Sequence, residues 1–390
     1  MLYVTYPAPP VLPQLSSFVD AIKHDIVVLK LCLDNVGKYI LPFCLVHQSN
    51  CGGIPVIIDV HRHFMPKELF ERYGALNKPT RRHEEPTLEF TFYHKLYEVD
   101  QQLQDMDEAG IDIAVLNLAQ WSLKGLEMCQ LINKSIAEVV KEHPDRFIGC
   151  IHLPLEDTKA SIEELHRGLD LGLRAWAILS SFLDITLDDE RMSPIYDEVS
   201  RLKLPIVMHA SLLPKGAESA YTIGRSLARA YDISGAALRI IYKVFQKWPD
   251  LQFILPHMGG VLPMMKGRVM AFFEPPPELG FKLEYPEDIR PLPKTLNELE
   301  ATGAIPYFDK LFDRLYFDTG GACGWMPAMQ AAVNAFRPEQ IIFGTDYPME
   351  IHTGKDKKWF IDNIKAMDIP ARNKELIFSG NFKRVFGLKA

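Results

Sequence analysis

The sequence predicts an α/β fold, a (β/α)8 or TIM barrel, from the number, composition and spacing of its short apolar runs. Eight such runs, rich in β-branched residues, alternate with helical stretches of mixed charge along the 390 residues. The runs are continuous rather than alternating, as parallel strands that are buried on both faces require. The rival open sheet that binds dinucleotides has no support, because no Gly-x-Gly-x-x-Gly follows the first run. The eight predicted strands are Val56–Phe64, Ile111–Ala119, Arg146–Leu155, Arg174–Ser181, Pro205–Ser211, Gln252–Gly260, Leu315–Gly320 and Ile341–Pro348.

The helices between the strands have recognisable C-terminal stop signals. A Gly or Pro stands where each of three helical stretches should end, just before the next strand. The three predicted helices are Tyr93–Ala109 before Gly110, Leu126–His143 before Pro144, and Ser161–Leu171 before Gly172.

Three connections are longer than one strand-helix unit needs, namely those after the first, fifth and sixth strands. We expect Pro66–Phe92, which directly follows the first strand, to be a loop at the C-terminal mouth. The connection after the sixth strand includes Pro275–Pro277 and is expected to be a lid or interface arm. We expect residues 54–390 to form one barrel domain, preceded by an N-terminal arm of uncertain structure, residues 1–53.

Composition limits the classes of partner and compartment. The 43 basic and 50 acidic residues give a net charge of −7, which argues against a nucleic-acid partner. A membrane span is not expected either, because the nearest candidate, residues 26–46, is interrupted by charges. Six cysteines without a Cys-x-x-Cys pair and an N-terminus unlike a signal peptide predict a reduced, cytoplasmic protein.

Polar residues stand at the C-terminal ends of several predicted strands. His61 and His63 alternate on the first strand and therefore share the inward face. His209, His257 and Asp346 end the fifth, sixth and eighth strands. Polar groups at this rim of a barrel indicate catalysis, and imidazole with carboxylate is a ligand set for a divalent metal. The alternative for His61 and His63 taken alone is a pair of strand-end histidines that hydrogen-bond to loops.

The same segments show a family resemblance. Asp59-Val-His-Arg-His63, Pro205-Ile-Val-Met-His209, His257-Met-Gly-Gly260 and Gly344-Thr-Asp-Tyr-Pro348 resemble the amidohydrolase superfamily. The similarity is greatest to the amidohydrolase-2 branch, which contains aminocarboxymuconate semialdehyde decarboxylase and related aromatic-acid decarboxylases. It extends over about residues 55–388, nearly everything except the N-terminal arm.

The resemblance implies one divalent metal ion per subunit, held by four ligands and served by one further histidine. The implied ligands are His61, His63, His209 and Asp346, and His257 is the implied acid/base or polarising group. Zn²⁺ is the expected ion, with Mn²⁺ as an alternative. The binuclear members of the superfamily use a carboxylated lysine on strand four, and the fourth run here has none, which favours a single ion.

This resemblance predicts a metal-dependent, non-oxidative decarboxylase of an aromatic or muconate-like carboxylic acid that releases CO2. His257 or Asp346 would help deliver a proton to the carbon that carries the carboxylate. The alternative is a mononuclear metal-dependent hydrolase of a lactone or amide, in which the metal would activate water. A catalytically inactive binding protein is a more distant third hypothesis.

Candidate substrate-binding residues follow from position and chemistry. Arg268 would bind the substrate carboxylate through its planar fork, and the family resemblance implies that it does so across a homodimer or higher homo-oligomer. A helix-surface ion pair is its alternative. Trp121 and Phe182 follow the second and fourth strands and could sandwich a flat substrate, although packing is an equally good explanation. Asp59 shares the inward face with the two histidines of the first strand and is expected to orient a ligand imidazole, with a plain buried hydrogen bond as the alternative.

Overall fold

Eight parallel strands form the central sheet of the computed structural model, and each pairs with the next barrel strand along the chain. The structure describes residues 56–76, 80–84, 88–182, 184–211, 222–271, 308–321 and 324–388. The expected arm at residues 1–53 and most of the long connection after the sixth barrel strand lie outside these ranges. The barrel strands are β1 (Ile58–His63), β4 (Ile113–Asn117), β5 (Phe147–His152), β6 (Ala175–Leu179), β7 (Ile206–His209), β8 (Phe253–Leu255), β9 (Tyr316–Asp318) and β10 (Ile341–Ile342).

The two ends of this sheet meet, so the predicted barrel is confirmed. Backbone hydrogen bonds join the first strand to the segment that follows the last: Val60 N–H donates to the Phe343 carbonyl at 3.0 Å, and His63 N–H donates to the Tyr347 carbonyl at 2.9 Å. Each strand is shorter than the apolar run that predicted it, because the outer residues of the run belong to the adjoining turns. All eight runs contain a strand of the barrel.

Helices follow the barrel strands, and their ends obey local rules. The helix Val99–Ala109 ends at Gly110, which has the left-handed φ of 73° that glycine adopts without strain. The side chain of Asp157 caps the helix Thr158–Asp170 by accepting a hydrogen bond from Ala160 N–H. The α-helices are Lys67–Arg72, Val99–Ala109, Leu126–Glu142, Thr158–Asp170, Ser193–Leu202, Thr222–Arg239, Phe245–Lys247, Leu262–Ala271, Phe308–Phe312, Met326–Ala335, Gly354–Ala366, Ala371–Glu375 and Asn381–Val385, and π-helical turns occur at Ile240–Val244 and Leu376–Gly380.

The segment after β1 differs from the prediction of a loop. It contains the helix Lys67–Arg72 and an antiparallel hairpin, β2 (Thr80–Glu84) paired with β3 (Leu88–Phe92). The aromatic ring of Phe92 packs on Phe70 at a centroid distance of 5.2 Å and on Trp121 at 5.9 Å. Burial of these rings gives the segment an apolar anchor, which its mixed sequence did not reveal.

The core lies inside the barrel and between the barrel and its helices. The strand patterns of β1, β4, β5, β6 and β7 are buried at every position, as expected for strands covered on both faces. Among the described residues, no helix combines the length and the apolar character needed to span a membrane. Because the strands are buried on both faces, their C-terminal ends hold the polar residues identified in the sequence on a rigid frame.

Candidate metal centre

Four side chains from three parts of the barrel converge at its C-terminal mouth. His61 and His63 come from β1, His209 ends β7, and Asp346 follows β10. One potential ligand atom from each lies within 4.8 Å of the others, and all four residues are buried. The structure thus brings together the four residues predicted to hold a metal.

Each of the three histidines is oriented by a hydrogen bond from its Nδ1 atom. The acceptor is Asp318 Oδ2 for His61 at 2.8 Å. For His63 it is the Asn117 carbonyl at 3.0 Å, and for His209 the Ala210 carbonyl at 2.7 Å. Because carboxylate and carbonyl oxygens accept, each Nδ1 carries the proton and each Nε2 is left to bind a metal.

Asp318 is a functional candidate that sequence reasoning missed. Its side chain is almost fully buried, and Oδ1 accepts hydrogen bonds from the backbone N–H groups of His257 and Gly320, both at 2.9 Å. Asp318 ends β9 just as His209 ends β7. The strand-end rule, that polar residues at the C-terminal ends of barrel strands indicate catalysis, could therefore have found it. The predicted strand Leu315–Gly320 extends two residues beyond Asp318, which placed this carboxylate inside the run and not at its end.

The predicted role of Asp59 in orienting a ligand imidazole is wrong. Its carboxylate accepts hydrogen bonds from the Thr345 backbone N–H at 3.0 Å, the Thr345 hydroxyl at 2.6 Å and the His61 backbone N–H at 3.2 Å. The imidazole of His61 turns instead toward Asp318. Asp59 therefore fastens the backbone beside Asp346 to β1.

Strong electrostatic coupling characterises the cluster. Burial by itself would lower the pKa of His61, but the carboxylates of Asp318 and Asp346 raise it to about 9. Burial and the charges of His63 and His61 hold the pKa of His209 well below its usual range. Burial by itself would raise the pKa of the Asp346 carboxyl. Its histidine neighbours nevertheless hold this pKa well below the ordinary value. These shifts favour a cationic His61 and an ionised Asp346 beside a neutral His209.

The residues fit a divalent ion. His61 Nε2 is buried without a hydrogen-bond partner among the described residues, although it faces Asp346 Oδ1 at 3.4 Å. His63 Nε2 lies 2.8 Å from the same oxygen. Three imidazole nitrogens, each on a ring that a hydrogen bond from Nδ1 orients, and one carboxylate are a donor set for a divalent ion such as Zn²⁺ or Mn²⁺.

His257 lies beside this cluster but is not one of its four ligands. Its ring stacks on that of His61 at a centroid distance of 5.3 Å, and its Nε2 lies 3.5 Å from Asp346 Oδ2. This Nε2 is buried and has no hydrogen-bond partner among the described residues. It is therefore placed to exchange a proton with a molecule bound at the mouth.

Backbone strain and close approach mark the same residues. Asp346 and His257 have φ values of 53° and 55°, in the left-handed region that non-glycine residues rarely adopt. Gly321, with φ of 76°, passes so close to the His257 ring that a Cβ atom would overlap it. A Cβ on Gly344 would lie 2.9 Å from His61 Cβ. These glycines are needed where the backbone meets the histidines.

Of the three predicted substrate-binding residues, two are buried and one is exposed. Trp121 and Phe182 are both buried, and Trp121 packs against Tyr73 and Phe92. Arg268 is exposed on the helix Leu262–Ala271 and makes no ion pair with another described residue. The surface ion pair proposed as its alternative is thus not formed among the described residues, and a substrate role for the three residues remains a prediction.

His152 is structural, although it also ends a barrel strand. Its Nε2 accepts a hydrogen bond from the Leu118 backbone N–H at 2.9 Å, so its Nδ1 donates to Asn133 Oδ1 at 2.9 Å. Burial lowers its pKa to about 3, which keeps the ring neutral. Both ring nitrogens are used to join neighbouring elements, which separates this residue from the metal cluster.

A family model confirms the resemblance that these residues carry. The model described as amidohydrolase matches residues 58–388, from the first residue of β1 to the end of the described chain. The chain belongs to the amidohydrolase family.

Relatives of this amidohydrolase include several decarboxylases. It is 28% identical over 356 residues to 2-amino-3-carboxymuconate-6-semialdehyde decarboxylase of Dictyostelium discoideum, covering 85% of this chain and 91% of the relative. It is 27% identical to gamma-resorcylate decarboxylase of a Rhizobium strain, covering 76% and 89% of the two chains. A 2-keto-4-carboxy-3-hexenedioate hydratase of a Sphingobium strain is also 27% identical, with 73% and 81% covered.

Solved structures share the fold. The manganese-bound dihydroxybenzoic acid decarboxylase of Polaromonas, crystallised with the inhibitor 2-nitroresorcinol, superposes with a TM-score of 0.62. The match covers 86% of this chain and 98% of that chain at 22% identity. This similarity supports the barrel fold independently of the sequence motifs.

Proposed function

We propose that this amidohydrolase is a metal-dependent, non-oxidative decarboxylase of an aromatic or muconate-like carboxylic acid. The observation that carries the proposal is the position of His257, whose buried Nε2 has no hydrogen-bond partner among the described residues and lies beside the four-ligand cluster, 3.5 Å from Asp346 Oδ2. The decarboxylase relatives, which match most of this chain, support the reaction type.

The proposed reaction breaks one carbon–carbon bond and forms one carbon–hydrogen bond. His61, His63, His209 and Asp346 would hold the ion, which supplies Lewis-acid polarisation of the substrate carboxylate or a neighbouring oxygen. His257 Nε2 would hold a proton and give it to the carbon that carries the carboxylate. The electron pair of the breaking bond accepts this proton and CO2 leaves. Asp346 Oδ2 lies 3.5 Å from His257 Nε2.

Zn²⁺ is the proposed ion, because a set of three imidazoles and one carboxylate suits it well. Mn²⁺ is the alternative, since it occupies the solved Polaromonas decarboxylase. Metal analysis of protein purified from cells grown with both ions present, followed by activity after reconstitution with each, would decide between them.

We propose that the chain forms a homodimer or a higher homo-oligomer and works in the cytosol on a small carboxylic acid. The exposed position of Arg268 supports a role at a subunit contact, where its guanidinium could bind a carboxylate of the neighbouring subunit's substrate. Sedimentation of the native protein and of Arg268→Ala tests this. In the described part of the chain, Cys129 and Cys150 are buried free thiols, as a reducing compartment permits.

A product assay tests the proposed reaction. Zinc-loaded and manganese-loaded protein is incubated with hydroxybenzoates, unsaturated dicarboxylic acids and lactones, and released CO2, ring opening and water addition are followed together. We expect CO2 release that His257→Asn abolishes while the variant keeps its metal. Ring opening without CO2 would instead support hydrolysis of a lactone or amide. Water addition would place the chain with its hydratase relative.

A further inference from the structure

Asp318 joins two parts of the centre that the sequence keeps far apart. Its Oδ2 lies 2.8 Å from Nδ1 of His61, and its Oδ1 accepts the backbone N–H of His257 at 2.9 Å. His61 lies in the first barrel strand, His257 follows the sixth, and Asp318 ends the seventh. One carboxylate therefore contacts both a metal ligand and the proposed proton donor.

The surroundings of this carboxylate are built to hold it in one orientation. Asp318 is 1% exposed, and Gly320 N–H gives its Oδ1 a second hydrogen bond at 2.9 Å. A Cβ on Gly344 would lie 3.2 Å from Asp318 Cβ, and one on Gly320 would lie 3.2 Å from Oδ1. The glycines leave space for the carboxylate, and burial with three hydrogen bonds holds it in one orientation, so that its two oxygens have separate roles.

We propose that Asp318 is a positioning residue that couples metal binding to the placement of His257. Through Oδ2 it fixes the ring orientation and the Nδ1–H tautomer of His61, so that His61 Nε2 is the atom presented to the ion. Through Oδ1 it fixes the strained backbone of His257, so that the Nε2 of this residue faces the mouth. The first role concerns metal binding alone, and only the second rests on the proposed function.

An isosteric substitution separates the two roles. In Asp318→Asn the amide oxygen can still accept from His257 and Gly320, but the amide nitrogen would face His61 Nδ1. Because both nitrogens would then carry hydrogen, His61 must move its proton to Nε2 or lose the contact. In Asp318→Ala both roles are lost. Asp112→Asn is the matched control, since this carboxylate caps the opposite end of β1 by accepting from Ile57 N–H at 2.7 Å.

The test measures binding of Co²⁺ by equilibrium dialysis and the visible spectrum of the cobalt-loaded protein, with circular dichroism to confirm folding. We expect Asp318→Asn to weaken Co²⁺ binding about 10- to 100-fold and to change the spectrum, whereas Asp112→Asn changes neither. At saturating metal, Asp318→Asn should recover most turnover, but Asp318→Ala should not. Unchanged affinity and spectrum in Asp318→Asn would overturn the proposal.

The readouts keep this proposal separate from the proposed reaction. Cobalt affinity and spectrum require no substrate, so they stand even if no CO2 is released. Equal turnover of the two variants at saturating metal would overturn the coupling to His257 alone. Should neither variant fold, proton NMR of the native chain decides the contact with His61. A downfield imidazole N–H signal that is lost in His61→Gln supports it, and a native spectrum without this signal contradicts it.

Discussion

The hydroxyl of Thr345 donates a hydrogen bond of 2.6 Å to Asp59 Oδ2. Thr345 directly precedes the metal ligand Asp346 in the chain. The Thr345 backbone N–H adds a second bond to Oδ1 of the same carboxylate at 3.0 Å. Thr345 follows the last barrel strand and Asp59 lies in the first. The pair therefore joins the two ends of the sheet beside Asp346, at a junction that we call the barrel seam. The placement of Asp346 therefore depends on a carboxylate that, among the described residues, makes no hydrogen bond to the Asp346 side chain or to an imidazole.

Thr345→Val tests the barrel seam by removing one hydrogen bond with little change in shape. We expect the free energy of unfolding to fall by about 1.5–3 kcal/mol, because the lost bond has a charged, buried acceptor. Metal affinity should fall about tenfold as Asp346 loosens. Urea denaturation and equilibrium dialysis measure the two effects. Thr158→Val is the control, since its hydroxyl donates to an exposed backbone carbonyl; if both variants retain metal equally, the lost bond at the seam has no effect on the site.

Removal of the metal should destabilise the protein in a way that depends on the ligands. Ligand binding to the folded state adds about 2.7 kcal/mol at a free metal concentration of 100 Kd. We expect a chelator to lower the Tm of the native protein, and added Zn²⁺ to restore it. His61→Ala and Asp346→Ala should bind no metal and show no such response. His257→Asn should respond like the native protein, and a His257→Asn variant that no longer binds metal would place this residue among the ligands.

Lys357 predicts a pH dependence of stability. Its amino group is fully buried, lies 4.0 Å from the centre of the Tyr347 ring and has no hydrogen-bond partner among the described residues. Burial and the charge of Arg62 lower its pKa from 10.5 to about 6. Between these values the unfolded chain binds the extra proton, so the free energy of unfolding rises as the pH increases from about 6 toward 10.5.

Lys357→Met should remove this dependence. We expect the variant to lose as much as about 1.4 kcal/mol per pH unit of the slope between pH 7 and 9. Urea denaturation with a chelator present measures the slope without a contribution from metal. The exposed Lys355→Met on the same helix should keep the native slope. Parallel slopes for the native protein and Lys357→Met would mean that Lys357 is charged when folded.

Gly321→Ala tests the close approach to His257. The added methyl would overlap the imidazole, so we expect the ring to shift and turnover to fall at least about tenfold while metal binding remains. Gly172→Ala is a matched control, because Gly172 also has a positive φ, 97°, but nothing within 4 Å of a Cβ. It should show only the backbone strain, about 1 kcal/mol of stability. Full turnover in Gly321→Ala would remove His257 from the reaction.

Arg268→Ala tests the proposed carboxylate clamp. If Arg268 binds an acidic substrate, KM should rise by about ten- to a hundredfold, because a charged hydrogen-bonding partner contributes about 1.5–3 kcal/mol. Metal content should not change, since Arg268 is exposed and is not one of the four ligands. Steady-state kinetics with metal analysis measures both. An unchanged KM would make Arg268 an ordinary surface residue.

The barrel strands and the four ligand residues of this amidohydrolase could be predicted from local patterns in the sequence. The continuous apolar runs predicted eight buried parallel strands, because such strands need apolar residues on both faces. Alternation on β1 placed His61 and His63 on one side, and the strand-end rule added His209 and Asp346. These four residues could be predicted because each depends on its own strand and on one shared rule, that all the strands point the same way.

Only the tertiary structure decided which groups touch. His61 lies between Asp59, two residues away, and Asp318, 257 residues away, and its imidazole turns to the distant carboxylate. Alternation along β1 places Asp59 on the same face as His61 and so favours Asp59, but the carboxylate of Asp59 accepts a hydrogen bond from Thr345 after the last strand. The hairpin after β1 was also missed, since its apolar anchor at Trp121 exists only after folding. Strand propensity is local, whereas the partner of a buried polar group depends on which distant segments the closed barrel brings within 3 Å.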